Sequence, residues 1–228
     1  TVELARASAR DADVVFAARV STAGESSVED VDSDAQRSAG LIRYLMRERH
    51  GSPFEHNSMT FFVQAPIFVW REHMRHRIAS YNEESGRYRE LRPIFYVPDE
   101  TRSVVQDGKP GAYEFHPGTP EQYAVIDSAT RESCVVAYDA YQRMLDAGIA
   151  REVARMVLPV TIYSSAYVTM NARALMNFLS LRKKSDDATY PSYPQREIEM
   201  VAEAYEDHFA RLMPITHEAF VASGRVAP

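Results

Sequence analysis

The chain has 228 residues, 45% of them hydrophobic, enough apolar side chain to fill a core and to exclude a disordered or fibrous polypeptide. Lysine and arginine total 26 against 32 acidic residues, so the net charge of −6 disfavours broad nucleic-acid binding, and any anion site must be local. The single Cys134 excludes an internal disulfide and a multi-cysteine metal cage, and it fits a reducing cytoplasm, the compartment expected here.

In chain order, Val2 to Ala7 alternates weakly as a strand, and Asp11 to Val20 reads as a short helix opened by acidic residues. Arg6, Arg10, Asp11 and Asp13 interrupt the apolar residues there, unlike a signal peptide. Ala35 to Arg49 carries Leu41, Ile42, Leu45 and Met46 at helical spacing, with Ser33 or Asp34 as its cap and Gly51 just beyond its end. Met59, Phe61 and Val63 alternate with Thr60, Phe62 and Gln64, the period of a strand with one buried face. Pro66 then opens a helix through Arg75, having no amide hydrogen to lose. The apolar run Ala65 to Trp70 is far shorter than the ~20 residues of a membrane helix, so a soluble protein with no membrane partner is expected.

Arg77 to Pro98 is loop-like, and Asp107 to Pro120 is a surface stretch rich in turn residues. Thr119 and Pro120 start a long helix ended by Gly148, in which Cys134, Tyr138, Tyr141 and Leu145 share the packed face. Arg151 to Leu158 is a short helix stopped by Pro159, and Thr161 to Thr169 is strand-like. Asn171 caps a helix from Ala172 to Arg182, and Pro194 opens a final helical region. Helices outnumber strands without regular alternation, so an α+β fold is expected, with a mixed or antiparallel sheet packed with several helices in a single domain over residues 1–228. No Gly-x-Gly-x-x-Gly or Walker loop occurs, so a nucleotide must be held by other means.

The chemistry concentrates between Arg71 and Arg92, where Arg71, Arg75, Arg77, Arg87, Arg89 and Arg92 accompany His73, His76 and four glutamates. Arginine offers a planar fork of donors for phosphate or carboxylate oxygens and keeps its charge when partly desolvated. Carboxylates, Asn82 and Ser85 add groups able to read a base or ring edge. A salt-bridged surface loop has the same composition. The order of the residues separates the two readings. RHRIASYNEESGR, Arg75 to Arg87, resembles the signature of flavin-dependent thymidylate synthases, Arg-His-Arg-x-x-Ser-x-Asn-Glu-x-Ser-x-Arg, at all eight fixed positions. HGSPFEH at His50 to His56, REVARMVLP at Arg151 to Pro159 and NARALMNFLSLR at Asn171 to Arg182 are similar to further blocks of that family.

The resemblance implies an enzyme that methylates dUMP to dTMP with 5,10-methylenetetrahydrofolate as one-carbon donor and FAD, reduced by NADPH, as hydride source. It places Arg75, His76, Arg77, Ile78 and Glu83 at FAD, with His50 and Ser52 near the flavin and Asn171, Ala172, Arg173 and Asn177 completing that site. Glu72, His73, Met74, Arg75, Glu83, Glu84, Ser85, Gly86, Arg87 and Arg155 surround dUMP by the same resemblance, Arg87 and Arg155 suiting its phosphate. Arg182 is the implied catalytic residue: it meets the uracil ring and favours ionisation at N3. The family also implies a homotetramer with shared sites.

Rival readings are weaker. Glu72, His73, His76, His50 and His56 have metal-binding chemistry, but Arg71, Arg75 and Arg77 would repel a divalent cation, so no metal is expected. An RNA-binding module could use the arginines with Tyr81, Tyr88 and Tyr96, but the motif order argues against it, and no nucleic-acid partner is expected. Cys134, on an apolar helical face, is a poor nucleophile and is read as structural. One segment departs from the family pattern: after Arg182, where a histidine is usual, Asp186 or Asp187 stands in that neighbourhood, and Tyr190 to Pro194 is inserted before the helix start at Gln195 to Ile198.

Overall fold

A computed structural model describes residues 1–24 and 35–228. In chain order the elements are β1 (Val2–Ser8), α1 (Asp11–Ala23), α2 (Ala35–Arg47), a 3-10 turn (Ser52–Glu55), β2 (Ser58–Pro66), α3 (Ile67–His73), β3 (Ser80–Glu83), β4 (Val105–Lys109) and β5 (Ala112–His116). There follow α4 (Pro120–Asp146), α5 (Arg151–Ala154), a second 3-10 turn (Arg155–Val157), β6 (Tyr163–Met170), α6 (Ala172–Arg182), α7 (Arg196–Leu212) and α8 (Pro214–Ala222). One sheet has the order β1-β2-β6-β3, and β4 and β5 form a separate antiparallel pair. The α+β class expected from the sequence is the class observed.

The chain divides into two compact units, one of residues 1–63, 75–81 and 167–228, the other of residues 64–74 and 82–166. In the first, β1 runs antiparallel to β2, with Val2 opposite Val63 and Ser8 opposite Ser58. The alternation read for β2 holds, since Met59, Phe61 and Val63 are fully buried. Helix α7 lays Ile198, Ala202, Tyr205 and Phe209 along one face by steps of four, three and four. Its Tyr205 meets Phe61 at 4.5 Å and Phe178 of α6 at 5.4 Å between ring centroids, an aromatic centre for this unit. Asp11, the first residue of α1, caps α8: its carboxylate accepts from Ile215 N at 3.0 Å and from Thr216 N and Oγ1 at 2.8 and 2.6 Å.

In the second unit Thr119 and Gln122 close a capping box at the start of α4. Cys134 and Tyr141 of that helix are buried, with Cys134 Sγ 3.6 Å from Thr161 Oγ1, so the expected packed face is observed. The Trp70 indole donates to the Ala65 and Ser164 carbonyls at 3.1 and 3.2 Å.

Several boundaries differ from the sequence expectation. Helix α2 stops at Arg47 instead of Arg49, because Arg49 turns left-handed at φ 59 and His50 N bonds back to the Leu45 carbonyl. Its expected caps, Ser33 and Asp34, lie outside the described residues. Helix α3 ends at His73, short of Arg75. The loop expected over Arg77 to Pro98 contains β3 and a bridge from Phe95 to Ile162. Asp107 to Pro120 holds most of a hairpin, turned by Gly108 and Gly111 at positive φ; its strands are largely exposed and carry no apolar alternation to betray them. Arg151 to Leu158 breaks into α5 and the second 3-10 turn, and the final helical region is two helices, α7 and α8.

Asp11→Ala leaves two amides of α8 and a buried hydroxyl without their acceptor, a loss of about 2 kcal/mol. Urea unfolding should show a lower midpoint with unchanged slope; a midpoint equal to that of the unaltered protein would remove the cap from the stability of this unit.

Candidate active site

The residues implied at the flavin by the sequence, Glu83 apart, lie in the first unit. His50 and Ser52 flank Gly51 before the first 3-10 turn, which packs on α6. Gly51 is buried beneath Arg173: a β-carbon there would meet Arg173 Cζ at 2.5 Å, so a side chain would displace that guanidinium. Arg173 also donates to Glu55 and, at 2.7 Å, to the Pro228 carbonyl. One cation therefore ties the His50 to His56 block to the start of α6. Asn171 Oδ1 accepts from Ala174 N at 2.9 Å as the helix cap, Asn57 Oδ1 accepts from Ala172 N at 2.8 Å, and exposed Asn177 donates to the Arg173 carbonyl. Arg75 and Arg77 are exposed, and Ile78 is 77% exposed.

At the other end of α6, Arg182 Nε donates to His76 Nε2 at 3.0 Å. The acceptor role requires an unprotonated Nε2. Burial, and then the Arg182 charge, lower the His76 pKa from 6.5 to about 4, so the imidazole is neutral at ordinary pH. Its ring packs on Phe178 at 4.6 Å, and Tyr81 donates its hydroxyl to the His76 carbonyl at 2.8 Å. Burial pushes the Tyr81 phenol up to about 12, keeping it a donor.

The next residue, Lys183, is fixed as well. Its ammonium lies 2.6 Å from the buried carboxylate of Glu206 on α7, which also meets His217 at 2.8 Å and takes two hydrogen bonds from Arg225 at 2.9 and 2.8 Å. Burial alone would raise this carboxyl, but the hydrogen bonds from His217, Arg225 and Lys183 outweigh it and hold the group well below the ordinary carboxylate range.

The residues implied at dUMP, apart from Arg75 and Arg182, lie in the second unit. Ser164 Oγ donates to Glu83 Oε1 at 2.5 Å, and Glu84 N donates to the Ser165 carbonyl at 2.8 Å. Ser85 heads a tight turn, its carbonyl accepting from Tyr88 N at 3.0 Å and its hydroxyl from Arg87 N at 3.3 Å. Gly86 is buried in that turn, and a β-carbon on it would meet Leu91 Cδ1 at 3.0 Å and Arg155 Cδ at 3.3 Å. The bare glycine lets the turn lie against Arg155, so Arg87 and Arg155 stand on touching segments. Arg87 Nε donates to Glu152 at 2.9 Å, which holds one edge of its fork. At the end of α3, His73 is buried with its ring 5.3 Å from that of Trp70, Glu72 is half-buried and Met74 exposed.

Three partners were not legible as site residues: Glu55, Glu152 and Ser164 meet Arg173, Arg87 and Glu83 across 118, 65 and 81 residues of chain. No local spacing encodes such pairs; only the presence of Glu55 inside HGSPFEH and Glu152 inside REVARMVLP could have drawn attention to them. Among the described residues no three His, Cys, Asp or Glu side chains are grouped to hold a metal ion.

The family described as Thymidylate synthase complementing protein matches residues 3–215. The flavin-dependent thymidylate synthase of Streptomyces coelicolor is 64% identical over 229 residues, 100% of this chain and 93% of that protein. That of Tropheryma whipplei is 60% identical over 228 residues, 100% of this chain and 95% of that one. The crystal structure of a UMP/dUMP methylase PolB from Streptomyces cacaoi, bound with 5-Br dUMP, superposes with a TM-score of 0.94 at 60% identity, covering 100% of this chain and 97% of that one. The chain belongs to the flavin-dependent thymidylate synthase family.

The lowered His76 pKa has a consequence for stability. Below pH 6.5 the unfolded chain takes up a proton that the folded one refuses until about pH 4, so this contribution is complete above 6.5 and is lost as pH falls through that window. Melting temperature should fall more steeply from pH 7 to 5 for the unaltered protein than for His76→Gln; parallel curves would mean that the imidazole is not held neutral.

Proposed function

We propose that the protein is a flavin-dependent thymidylate synthase, converting dUMP to dTMP with 5,10-methylenetetrahydrofolate and with FAD reduced by NADPH. The observation that carries this reading is the 64% identity to the Streptomyces coelicolor enzyme over the whole of this chain.

The side chains present fit FAD. Exposed Arg77, Asn177, His50 and Ser52 offer cationic, amide, imidazole and hydroxyl groups for a pyrophosphate and a polar ring edge, and Ile78 offers apolar surface. Arg75, His76, Glu83, Asn171, Ala172 and Arg173 complete the flavin set in this reading. When bound, FAD supplies the hydride that completes the new methyl group.

The protein's own part is positioning and charge. Arg87, oriented by Glu152, and Arg155 grip the dUMP phosphate through guanidinium forks. Glu72, His73, Met74, Arg75, Glu83, Glu84, Ser85 and Gly86 surround the nucleotide. Arg182 meets the uracil ring, where a fixed cation favours loss of the N3 proton and raises electron density at the carbon to be methylated. His76 keeps that cation aimed, since its neutral Nε2 accepts from Arg182. Cys134 is buried beside Thr161 and takes no part, whereas a cysteine nucleophile needs an accessible thiolate. The protein acts as a homotetramer whose sites combine residues of several subunits.

Arg182→Ala should retain FAD, read from its absorbance, yet lose dTMP formation by roughly a hundredfold or more, the loss typical of removing a preorganised charge. Cys134→Ser should turn over within about twofold of the unaltered enzyme, a buried thiol being a packing group. A fully active Arg182 variant, or a folded but inactive Cys134 variant, would reverse the assigned roles. A second reading, in which UMP is also methylated, is favoured by the 60% identity to the Streptomyces cacaoi UMP/dUMP methylase. Substituting UMP for dUMP in the same assay decides it: turnover comparable to that with dUMP establishes the broader specificity, and none restricts the enzyme to the deoxynucleotide.

A further inference from the structure

Within the first unit, α2, α8 and the atypical segment after Arg182 enclose a cleft of about 480 Å3. We infer that it binds the phosphorylated adenosine end of NADPH, an inference resting on the reaction proposed above.

The first support is charge. Among the described residues, Arg43, Arg47 and Arg49 line the cleft and no carboxylate does. Glu218 and Glu48 pair with Arg43 and Arg47 from beside it, at 3.2 and 2.8 Å, but these are exposed pairs of little net strength, which a phosphate can replace. Three guanidinium forks around one cleft suit a dianionic phosphate better than a single carboxylate. The second support is shape. Met46 and Ala219 give the cleft apolar surface, and Tyr190, 72% exposed, adds an aromatic ring on which a purine can stack.

The third support is how the lining is held. Thr189 N donates to the Gly224 carbonyl at 2.9 Å, and Gly224, at φ 66, comes so close to Thr189 that a β-carbon would strike its hydroxyl. Thr189 and Tyr190 are therefore seated as one wall of the cleft. Arg49 takes the left-handed conformation at φ 59, where a non-glycine residue is strained, and such strain gathers at functional positions. Arg49 immediately precedes His50, a residue read at the flavin. Phosphates gripped on the Arg49 side leave the reducing end of the dinucleotide free to extend toward that ring.

The test uses the FAD-loaded protein. In calorimetry, adenosine 2′,5′-bisphosphate should bind the unaltered protein, and Arg43→Ala/Arg47→Ala should weaken it about tenfold or more, given the strength of charge-assisted hydrogen bonds; Arg43→Lys/Arg47→Lys should fall between, keeping charge but losing the fork. In turnover the alanine variant should raise KM for NADPH about tenfold while leaving kcat, the KM for dUMP and the KM for NADH, which lacks the 2′-phosphate, unchanged. Unaltered bisphosphate affinity, an unchanged KM for NADPH, or a rise confined to the KM for polyglutamylated methylenetetrahydrofolate would each overturn the assignment, the last by giving the cleft to the folate tail. The calorimetry needs no turnover, so arginine-dependent bisphosphate binding by a protein that forms no dTMP would keep the site and sink the proposed reaction.

Discussion

In the proposed reaction the Arg182 guanidinium steers the ionisation of the bound ring, which it can do only if it points in one direction, and the bare Nε2 of His76 helps to set that direction. Arg182 is long and rotatable; left to water it would sample many rotamers, at an entropic cost to be met at each turnover. The bond to His76 fixes it in advance, and the bond exists only because partial burial and the cation itself keep the imidazole unprotonated. Phe178 packs on the ring, and Tyr81 holds the backbone of His76, so the acceptor is itself oriented. In the proposed reaction, a neutral histidine thus contributes to the preorganisation that transition-state stabilisation requires.

The helix bearing Arg182 is pinned at both ends. Asn171 caps its first turn and Arg173 locks it to Glu55, while beyond its last residue Lys183 is clamped by Glu206. Glu206 is one carboxylate facing three basic side chains, Lys183, His217 and Arg225, and removing it would leave cations in a poorly solvated place. The same Arg225 sends its carbonyl to Ser180 Oγ at 2.5 Å, so the segment after α8 returns to α6. Stability and aim are supplied by one set of contacts.

The sequence made much of this legible, and physics explains where it stopped. Elements whose burial repeats along the chain were visible: β2 through Met59, Phe61 and Val63, α4 through Cys134 and Tyr141, and α6 through its Asn171 cap. The hairpin Val105–His116 was not, because its strands bury almost nothing and its pairing is carried by backbone hydrogen bonds. Strand β3, only four residues long, was hidden inside the charge-dense motif. The motif itself could be read as an ordered set of residue types, but the glutamates orienting its arginines could not, since Glu152 reaches Arg87 only after the chain has folded. The stop of α2 at a left-handed Arg49 also contradicts local preference, in which a glycine such as Gly51 would end the helix.

The most direct measurement is of the imidazole itself. Nitrogen-15 spectra of histidine-labelled protein, with His76 assigned by comparison with His76→Gln, report protonation and tautomer together. Near neutral pH the ring should be uncharged, with its proton on Nδ1 and a lone pair on Nε2 facing Arg182. A protonated ring, or a neutral one carrying its proton on Nε2, would contradict the claim that His76 accepts from the arginine and sets its aim.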